Sequence, residues 1–394
     1  MTDRGPEEAE VSTIPFVDLQ AQRDALRPQL DEAIARVLDH GQFILGPEVH
    51  ELEEELAKWC GAAHVISCSS GTDALLMPLM AWGIGPGDAV FVPSFTFTAT
   101  AEVVALLGAT PIFCDVLPET FNLDPASLGR AIDLVTGMGD LRSRAVIPVD
   151  LFGQPADYRA IEQIANHAGL RVLTDAAQSF GATLNGSPVG SFGDATATSF
   201  FPAKPLGCFG DGGAVFTDDD DLAAVVRSLR THGQGADKYD TVRVGVNARL
   251  DTLQAAVLLV KLAHFERELE QRDEVVARYN AALSDSVQVP SLIPGATSAW
   301  AQYTIRVDRR DALRDALGEA GIPTAVYYPK PLHQQPAFAA APVAPGGCSV
   351  ADEASREVLS LPMGPYLPED QQGRVCSTLS ALLPAPRVDA ASCE

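Results

Sequence analysis

Basic charge and long apolar runs are both scarce in this sequence. Among 394 residues, 28 are lysine or arginine and 52 are aspartate or glutamate, which gives a net charge of −24. A chain this acidic repels polyanions, so neither nucleic acid nor an anionic membrane surface is expected as a partner. No apolar segment approaches ~18 residues, so no membrane-spanning helix is expected either.

Paired cysteines and metal-ligand patterns are also missing. The seven cysteines occur singly and never as a CxxC pair, which disfavours a zinc site or a disulfide framework and predicts reduced thiols in a cytoplasmic protein. Residues 1–10 are acidic and contain no apolar core, so we do not expect a signal peptide. No metal site is expected: the histidines lack ligand spacing, and Asp218–Asp221 precede a helical pattern that they are suited to cap.

What the sequence does have is a regular alternation of short apolar runs with helical patterns. The runs are too apolar to have a face in water, and helical segments separate most of them. We therefore predict an α/β fold with a mostly parallel seven-stranded sheet sandwiched by helices. The last two runs lie close together, so one of them is expected to be antiparallel. The predicted strands are His64–Cys68, Ala89–Val92, Pro111–Cys114, Ala145–Val149, Val172–Thr174, Ala195–Phe200 and Ala214–Thr217.

The chain divides into three predicted parts. Residues 1–13 are expected to form a disordered acidic tail, and residues 14–250 a large α/β domain with N-terminal helices. Residues 251–394 are expected to form a linker helix, reaching about residue 280, and a smaller C-terminal α+β domain. In that smaller domain we predict strands at 303–307 and 323–328 and helices at 311–320 and 369–383.

A lysine and an acid provide the first indication of chemistry. Lys204 follows one apolar run within an apolar frame, Phe200-Phe-Pro-Ala-Lys204-Pro-Leu, which would lower the pKa of its amine. Asp175 ends another run, at the edge of the sheet where ligands collect. Pyridoxal phosphate (PLP) requires such a pair: an amine that binds its aldehyde and a carboxylate that keeps its pyridine nitrogen protonated. The plainer alternatives are a surface lysine and a helix-capping aspartate.

Several neighbouring residues fit the same cofactor. Gln178, three residues after Asp175, could donate to the ring's 3-oxygen, and Ser199 could donate to its phosphate. The segment Ser69–Leu75 opens a helix after a strand, where unpaired amides favour a phosphate; taken alone it is better explained as a simple N-cap, and only Lys204 and Asp175 make a phosphate site the better interpretation. Phe97 could stack on a flat ring or belong to the core, and His333 is the one histidine in a site-like context.

Together these segments resemble the DegT/DnrJ-type sugar aminotransferases, which are fold-type-I PLP enzymes. The resemblance extends from about residue 14 to residue 383. It rests on the following motifs, in order: Ile14-Pro-Phe-Val-Asp-Leu-Gln, Phe43-Ile-Leu-Gly-Pro, Ser70-Gly-Thr-Asp-Ala-Leu75, Pro93-Ser-Phe-Thr-Phe97, Asp175-Ala-Ala-Gln-Ser179, Ser199-Phe-Phe-Pro-Ala-Lys204, Gly245-Val-Asn-Ala-Arg249 and Leu361-Pro-Met-Gly-Pro365.

The resemblance implies a role for each matching residue. Lys204 would carry PLP and move the proton, Asp175 would bind the pyridine nitrogen, and Gln178 would bind the phenolic oxygen. The remaining cofactor contacts would come from Gly71, Thr72, Asp73 and Ser199 near the phosphate and from Phe97 on the ring. The family's homodimer would bring Asn247 and Arg249 to the neighbouring active site, and Arg249, Tyr327 and His333 would contact the substrate.

The implied reaction moves an amino group from L-glutamate to a nucleotide-linked keto sugar, in glycan or natural-product biosynthesis. The segment from Phe201 to Gly213 is most similar to members that aminate C3 of UDP-linked 3-oxo sugars, including 2-acetamido-3-oxo-glucuronates. Two alternatives are a PLP-dependent sugar dehydratase and a regulator that kept the fold. Lys204 disfavours the dehydratase, because family members with that activity carry histidine there.

Overall fold

The fold is described here from a computed structural model, which covers residues 14–237 and 239–383. The predicted acidic tail, residues 1–13, lies outside the described residues. The helices are α1 (Leu19–His40), α2 (Pro47–Cys60), α3 (Gly71–Ala81), α4 (Ala99–Leu106), α5 (Pro125–Met138), α6 (Tyr158–Ala168), α7 (Asp220–Arg230), α8 (Thr252–Leu262), α9 (Phe265–Leu283), α10 (Arg310–Glu319), α11 (Ser349–Glu357) and α12 (Glu369–Leu382). The strands are β1 (His64–Cys68), β2 (Asp88–Pro93), β3 (Thr110–Cys114), β4 (Arg142–Val146), β5 (Arg171–Asp175), β6 (Thr183–Leu184), β7 (Ser187–Pro188), β8 (Ala195–Ser199), β9 (Gly213–Thr217), β10 (Tyr303–Arg306) and β11 (Val358–Leu361).

The seven predicted strands form one sheet in the order β1-β9-β8-β5-β4-β2-β3. Strands β3, β2, β4, β5 and β8 pair in parallel, whereas β9 is antiparallel to both of its neighbours. The sheet and the antiparallel strand near its end are therefore confirmed. Strands β2 and β9 are buried along their whole length, as expected for a sheet covered on both faces.

The sheet order decides which loops meet. Because β1, β2, β4, β5 and β8 all run in the same direction, their carboxyl ends lie along one edge. The segments that follow these ends lie far apart in the chain, since β1 ends at Cys68 and β8 ends at Ser199. Only the parallel sheet brings them together, at the edge where ligands bind in open α/β folds.

The C-terminal part differs from its prediction in two places. The expected long helix from residue 251 is broken at Ala263 and His264 into α8 and α9; α8 packs against α1 and α2, and α9 packs against α12. The expected strand at 323–328 is also wrong. Strand β10 pairs instead with β11, and Ala325 makes only an isolated bridge to Ser360, so residues 326–328 are free to turn toward the sheet edge.

A hydrophobic core separate from that of the large sheet joins β10 and β11 to α9, α10 and α12. In it the rings of Tyr279 and Tyr303 stack with 4.6 Å between their centroids. The proposed boundary at residue 250 stays a prediction. Within the described residues, no helix is both long enough and apolar enough to cross a membrane.

The run Asp218–Asp221 behaves as a helix cap. Asp219 precedes α7, and its carboxylate accepts hydrogen bonds from the backbone N–H groups of Asp221 (2.9 Å) and Leu222 (3.0 Å). Asp218 accepts from the N–H of Ala63 at 2.7 Å, and Asp220 contacts His64. Three of the four carboxylates therefore have separate structural partners.

Replacing Asp219 with alanine should lower the free energy of unfolding by about 1 kcal/mol, because two first-turn N–H groups lose their acceptor. Urea denaturation at fixed protein concentration measures the change. The neighbouring variant Asp221→Ala is the control and should cost less than about 0.5 kcal/mol. Equal losses in the two variants would contradict the capping role.

Candidate active site

Lys204 lies at the carboxyl edge of the sheet, five residues after the end of β8. Its backbone N–H donates to the carbonyl of Phe201 at 2.8 Å, which closes a turn and directs the residue away from the strand. The side chain is half-buried, and no described carboxylate lies within 4.0 Å of its Nζ. Burial lowers the pKa of this amine to about 8, although the charge of Asp175 acts in the opposite direction. Lys204 is therefore a poor surface charge and a good nucleophile.

Asp175 faces the same space from the end of β5 and is almost fully buried. Its carboxylate accepts hydrogen bonds from Thr100 Oγ1 (2.8 Å) and from the backbone N–H of Ala177 (3.2 Å). Burial nevertheless raises its pKa, because these two donors do not replace water fully. An N–H donor with positive charge would stabilise this carboxylate, which is what a pyridinium nitrogen offers.

Gln178 is held in one amide orientation. Its Oε1 accepts the backbone N–H of Phe152 at 2.7 Å, and its Nε2 lies 3.4 Å from the hydroxyl of Tyr328. A backbone N–H can only donate, so the oxygen must face Phe152 and the NH₂ group must face the opposite way. Gln178 can therefore act as a donor toward a phenolic oxygen.

The segment before α3 provides a place for a phosphate. Ser70 caps α3 by accepting the N–H of Asp73 at 3.1 Å, so the first-turn N–H groups of Gly71 and Thr72 are left without intrahelical partners. A side chain at position 71 would meet Ser199 Cβ at 2.7 Å, so only glycine allows β8 and α3 to approach this closely. Gly71, Thr72 and Ser199 are thus brought together.

Asp73 is placed differently from the other predicted phosphate contacts. Its carboxylate accepts hydrogen bonds from the hydroxyls of Ser69 and Ser70. These bonds hold the two serines in place, and they also bring a negative charge close to the helix N-terminus. Asp73 therefore shapes the loop through its carboxylate, while its direct contact with a cofactor stays a prediction.

Phe97 does not belong to the core, because 54% of it is exposed. Its ring centroid lies 6.3 Å from that of Tyr328, which in turn approaches the Gln178 amide. An exposed aromatic face beside Tyr328 suits stacking on a flat ring better than packing of the protein interior.

Asn247 and Arg249 lie beside the segment that precedes α3. Between them, the carbonyl of Ala248 accepts the N–H of Ser69 at 3.1 Å. Asn247 is exposed, and Arg249 Nε is buried without a hydrogen-bond partner among residues 14–237 and 239–383. The exposed Asn247 side chain is therefore available to groups outside this chain, whereas Arg249 Nε faces the interior.

The other two predicted substrate residues have partners within the chain. Tyr327 is half-buried, with its ring 6.4 Å from that of Phe16. His333 has both ring nitrogens engaged: Nδ1 lies 2.5 Å from Ser94 Oγ, and Nε2 lies 3.3 Å from Asp352 Oδ1. The structure thus gives His333 a role in joining α11 to the sheet edge. Its contact with substrate stays a prediction.

A cavity adjoins Lys204. The N-terminal residues 15–19 and the segment 363–368 line it, together with Arg272 from α9. The N–H of Met363 donates to the carbonyl of Phe16 at 3.0 Å, so the first and last motifs of the sequence meet here. Burial lowers the pKa of Arg272 to about 10, and its Nη1 donates to the carbonyl of Trp300 at 3.0 Å.

Sequence analysis missed three residues that belong to this site: Thr100, Tyr328 and Arg272. Thr100 could have been predicted, because it places a hydroxyl in the first turn of α4, a helix that follows a strand. Tyr328 follows Tyr327, which was predicted to contact the substrate. The strand predicted at 323–328 gave no indication that the Tyr328 side chain turns toward Gln178. Nothing in the sequence around Arg272 distinguishes it from the surface charges of a long helix.

Comparison with known proteins agrees with this geometry. Residues 24–380 match the family model described as the DegT/DnrJ/EryC1/StrS aminotransferase family. The chain belongs to this family.

Among its relatives, a UDP-2-acetamido-2-deoxy-3-oxo-D-glucuronate aminotransferase from Pseudomonas aeruginosa is 49% identical over 93% of this chain and 99% of its own length. A pleiotropic regulatory protein from Geobacillus stearothermophilus is 44% identical over 93% of this chain and 98% of its own length. The crystal structure of a DegT DnrJ EryC1 StrS aminotransferase from Brucella abortus has a TM-score of 0.92 and 52% identity, and the match covers 93% of this chain and 99% of that chain.

In the cofactor-free protein, covalent attachment of PLP should accelerate as the pH rises through about 8, and it should level off above that value. The reason is that only the neutral Lys204 amine attacks an aldehyde, and burial lowers its pKa. Stopped-flow absorbance across neutral and alkaline pH measures the rate.

The Asp175→Asn variant provides the matched comparison. The negative charge of Asp175 raises the Lys204 pKa, so its removal should move the midpoint to lower pH. A midpoint near the ordinary lysine value of 10.5 in the native protein would contradict the assignment.

Proposed function

We propose that this protein is a PLP-dependent aminotransferase that moves an amino group from L-glutamate to a nucleotide-linked keto sugar, with C3 of a UDP-linked 3-oxo sugar as the preferred acceptor. The observation that carries the proposal is the facing pair of Lys204 and Asp175. Asp175 is buried and Lys204 is half-buried, each has its pKa shifted toward the neutral form, and the two do not form an ion pair. The similar Pseudomonas aeruginosa enzyme supports the sugar class.

The hydrogen-bonding groups of the site match the groups of PLP. When bound, PLP supplies an electrophilic aldehyde and a ring that accepts electrons. Asp175 would hold the proton on the ring nitrogen, and the Gln178 NH₂ would donate to the phenolic oxygen. The N–H groups of Gly71 and Thr72, with the Ser199 hydroxyl, would bind the phosphate.

Lys204 then has two tasks. Its amine would hold the cofactor, and once free of it the same amine would carry a proton to and from the substrate carbon. A pKa near 8 suits both, because the amine can accept and return a proton near neutral pH.

Two alternative functions are a regulator that kept the fold and a PLP-dependent sugar dehydratase. A regulator would need no lysine with a lowered pKa, yet one similar protein carries a regulatory name. A sugar dehydratase would need no amino donor. Products formed with and without glutamate separate the three functions, because only the aminotransferase gives an amino sugar and 2-oxoglutarate in equal amounts.

Lys204→Ala should abolish amino transfer while the protein still binds PLP noncovalently, because the phosphate and ring contacts remain. Incubation with a panel of UDP- and dTDP-keto sugars and glutamate, followed by mass spectrometry, measures the transfer. Native protein should form an amino sugar that the variant does not form, and turnover by the purified variant would refute the assignment.

A second buried lysine provides the control. Burial also lowers the pKa of Lys261 to about 8, but its Nζ donates to the carbonyl of Gly207 at 2.6 Å. Borohydride reduction of the PLP-loaded protein, followed by peptide mapping, should label position 204 and leave position 261 unlabelled. Label at 261 would show that burial alone selects the lysine.

The acceptor site is completed by a second copy of the chain in this proposal. Large apolar side chains are exposed, including Phe43 (46%), Ile44 (47%) and Val244 (86%), which suits an interface between copies. Asn247, which is exposed, and Arg249 from the same loop would then serve the neighbouring active site. The six described cysteines are free thiols, which supports a cytoplasmic location.

Mixing two inactive variants tests whether the site is shared. Asn247→Asp should be inactive, because its charge repels the phosphate, and Lys204→Ala lacks the amine. A mixed dimer regains one complete site if Asn247 acts on the neighbouring subunit, so a mixture refolded in equal amounts should recover about a quarter of native activity. No recovery, in a mixture shown to contain mixed dimers, would place Asn247 in its own subunit's site.

A further inference from the structure

Asp150 is a buried carboxylate to which the proposed mechanism assigns no task. It follows β4 at the carboxyl edge of the sheet and has no exposed surface. Its Oδ1 accepts hydrogen bonds from Tyr158 Oη (2.5 Å) and the N–H of Ala156 (2.8 Å), and its Oδ2 accepts one from Ser179 Oγ (2.6 Å). A carboxylate with three good donors is a strong anchor, because each bond forms away from water.

The partners of Asp150 belong to two different turns. Ala156 lies in the turn that Asp150 begins, and Tyr158 is the first residue of the helix after it. Ser179 lies in the other turn, after β5, and directly follows Gln178. The two turns are also joined through the backbone, since the N–H of Asp150 donates to the carbonyl of Asp175 at 3.0 Å. Asp150 therefore fixes the segment from Asp175 to Ser179 relative to its own turn.

That turn carries the group that orients Gln178. Phe152 has a φ of 63°, which is unusual for a bulky residue, and in this conformation its N–H donates to Gln178 Oε1 at 2.7 Å. Gly153 follows with a φ of 118°, and a side chain there would meet the backbone N of Trp300 at 2.6 Å. The N–H of Ala299 also donates to the carbonyl of Gly153 at 2.9 Å. The turn is thus held from both sides.

We propose that Asp150 is a positioning residue for the cofactor site, which holds the Gln178 NH₂ group toward the phenolic oxygen of PLP through Ser179 and the turn at Phe152. This inference rests on the proposed function, because it assumes that PLP occupies the site. It requires three hydrogen-bond contacts and no particular charge: an amide can accept from Tyr158 and Ala156 and donate to a rotated Ser179 hydroxyl.

Removing the anchor should release Gln178. Asp150→Ala should raise the Kd for PLP, measured by titrating cofactor-free protein, by about ten-fold or more. It should also shift the pH midpoint of the bound cofactor's absorbance, because the phenolic oxygen loses a fixed donor. Asp150→Asn should keep the Kd for PLP within about three-fold of native and leave the pH midpoint near its native value.

A crystal structure of the cofactor-free Asp150→Ala protein tests the geometry without any activity. The distance from Phe152 N to Gln178 Oε1 should exceed hydrogen-bonding range in the variant. Ser179→Ala removes a single contact and should show the same changes to a smaller extent, so the test stands even if Asp150→Ala does not fold.

Asp115→Ala is the matched control for lost stability. Asp115 is another buried carboxylate, which accepts the N–H groups of Val350 and Ala351 at 3.0 Å each. This variant should unfold more easily but keep the native PLP affinity and absorbance midpoint.

The outcomes separate the inference from the proposed function. Native Gln178 geometry and native PLP affinity in folded Asp150→Ala or Ser179→Ala would overturn the inference while leaving the aminotransferase proposal intact. An Asp150→Asn variant as impaired as Asp150→Ala would also overturn it, because charge would then be the essential feature. Failure of native protein to bind PLP would instead remove the proposed function itself.

Discussion

The site depends on a half-buried lysine and a buried aspartate that face one space without forming an ion pair. Burial makes the neutral form of Lys204 more favourable and does the same for Asp175, and their mutual attraction only partly compensates. A direct ion pair would satisfy both groups and would leave neither available. Their separation keeps the amine nucleophilic and the carboxylate in need of a donor. A ligand that offers an aldehyde at one end and a protonated nitrogen at the other satisfies both.

The parallel sheet is what allows this separation. Lys204 and Asp175 follow neighbouring strands, so the strand spacing and the turns after each strand set the gap between them. The segment before α3 comes from the end of β1, on the far side of β9, and reaches β8 only because Gly71 leaves room beside Ser199. The cofactor site is therefore a consequence of strand order as much as of side-chain chemistry.

A second layer of polar contacts surrounds the residues that face the ligand. Thr100 supports the Asp175 carboxylate, and the N–H of Phe152 supports the Gln178 amide. These contacts use backbone groups and small side chains whose positions are fixed by the turns that carry them. Precise orientation in this site thus comes from rigid loops at the sheet edge, and from buried polar groups whose donors and acceptors are matched.

The sequence by itself determined the strands, the lysine and acid, and the glycine at the phosphate segment. Apolar runs too short for helices and too continuous for a wet face leave few alternatives to a buried parallel sheet. Local patterns of this kind survive folding because they depend on residues close together in the chain.

Only the tertiary structure decided the roles of Tyr328, Asp150 and His333. Tyr328 turns toward Gln178 because β10 pairs with β11 and leaves residues 326–328 outside the sheet. His333 faces Asp352, a partner nineteen residues away in the chain, and Asp150 meets Ser179 across two turns. These contacts join residues far apart in sequence, so their geometry follows from packing and strand order, which no local pattern encodes.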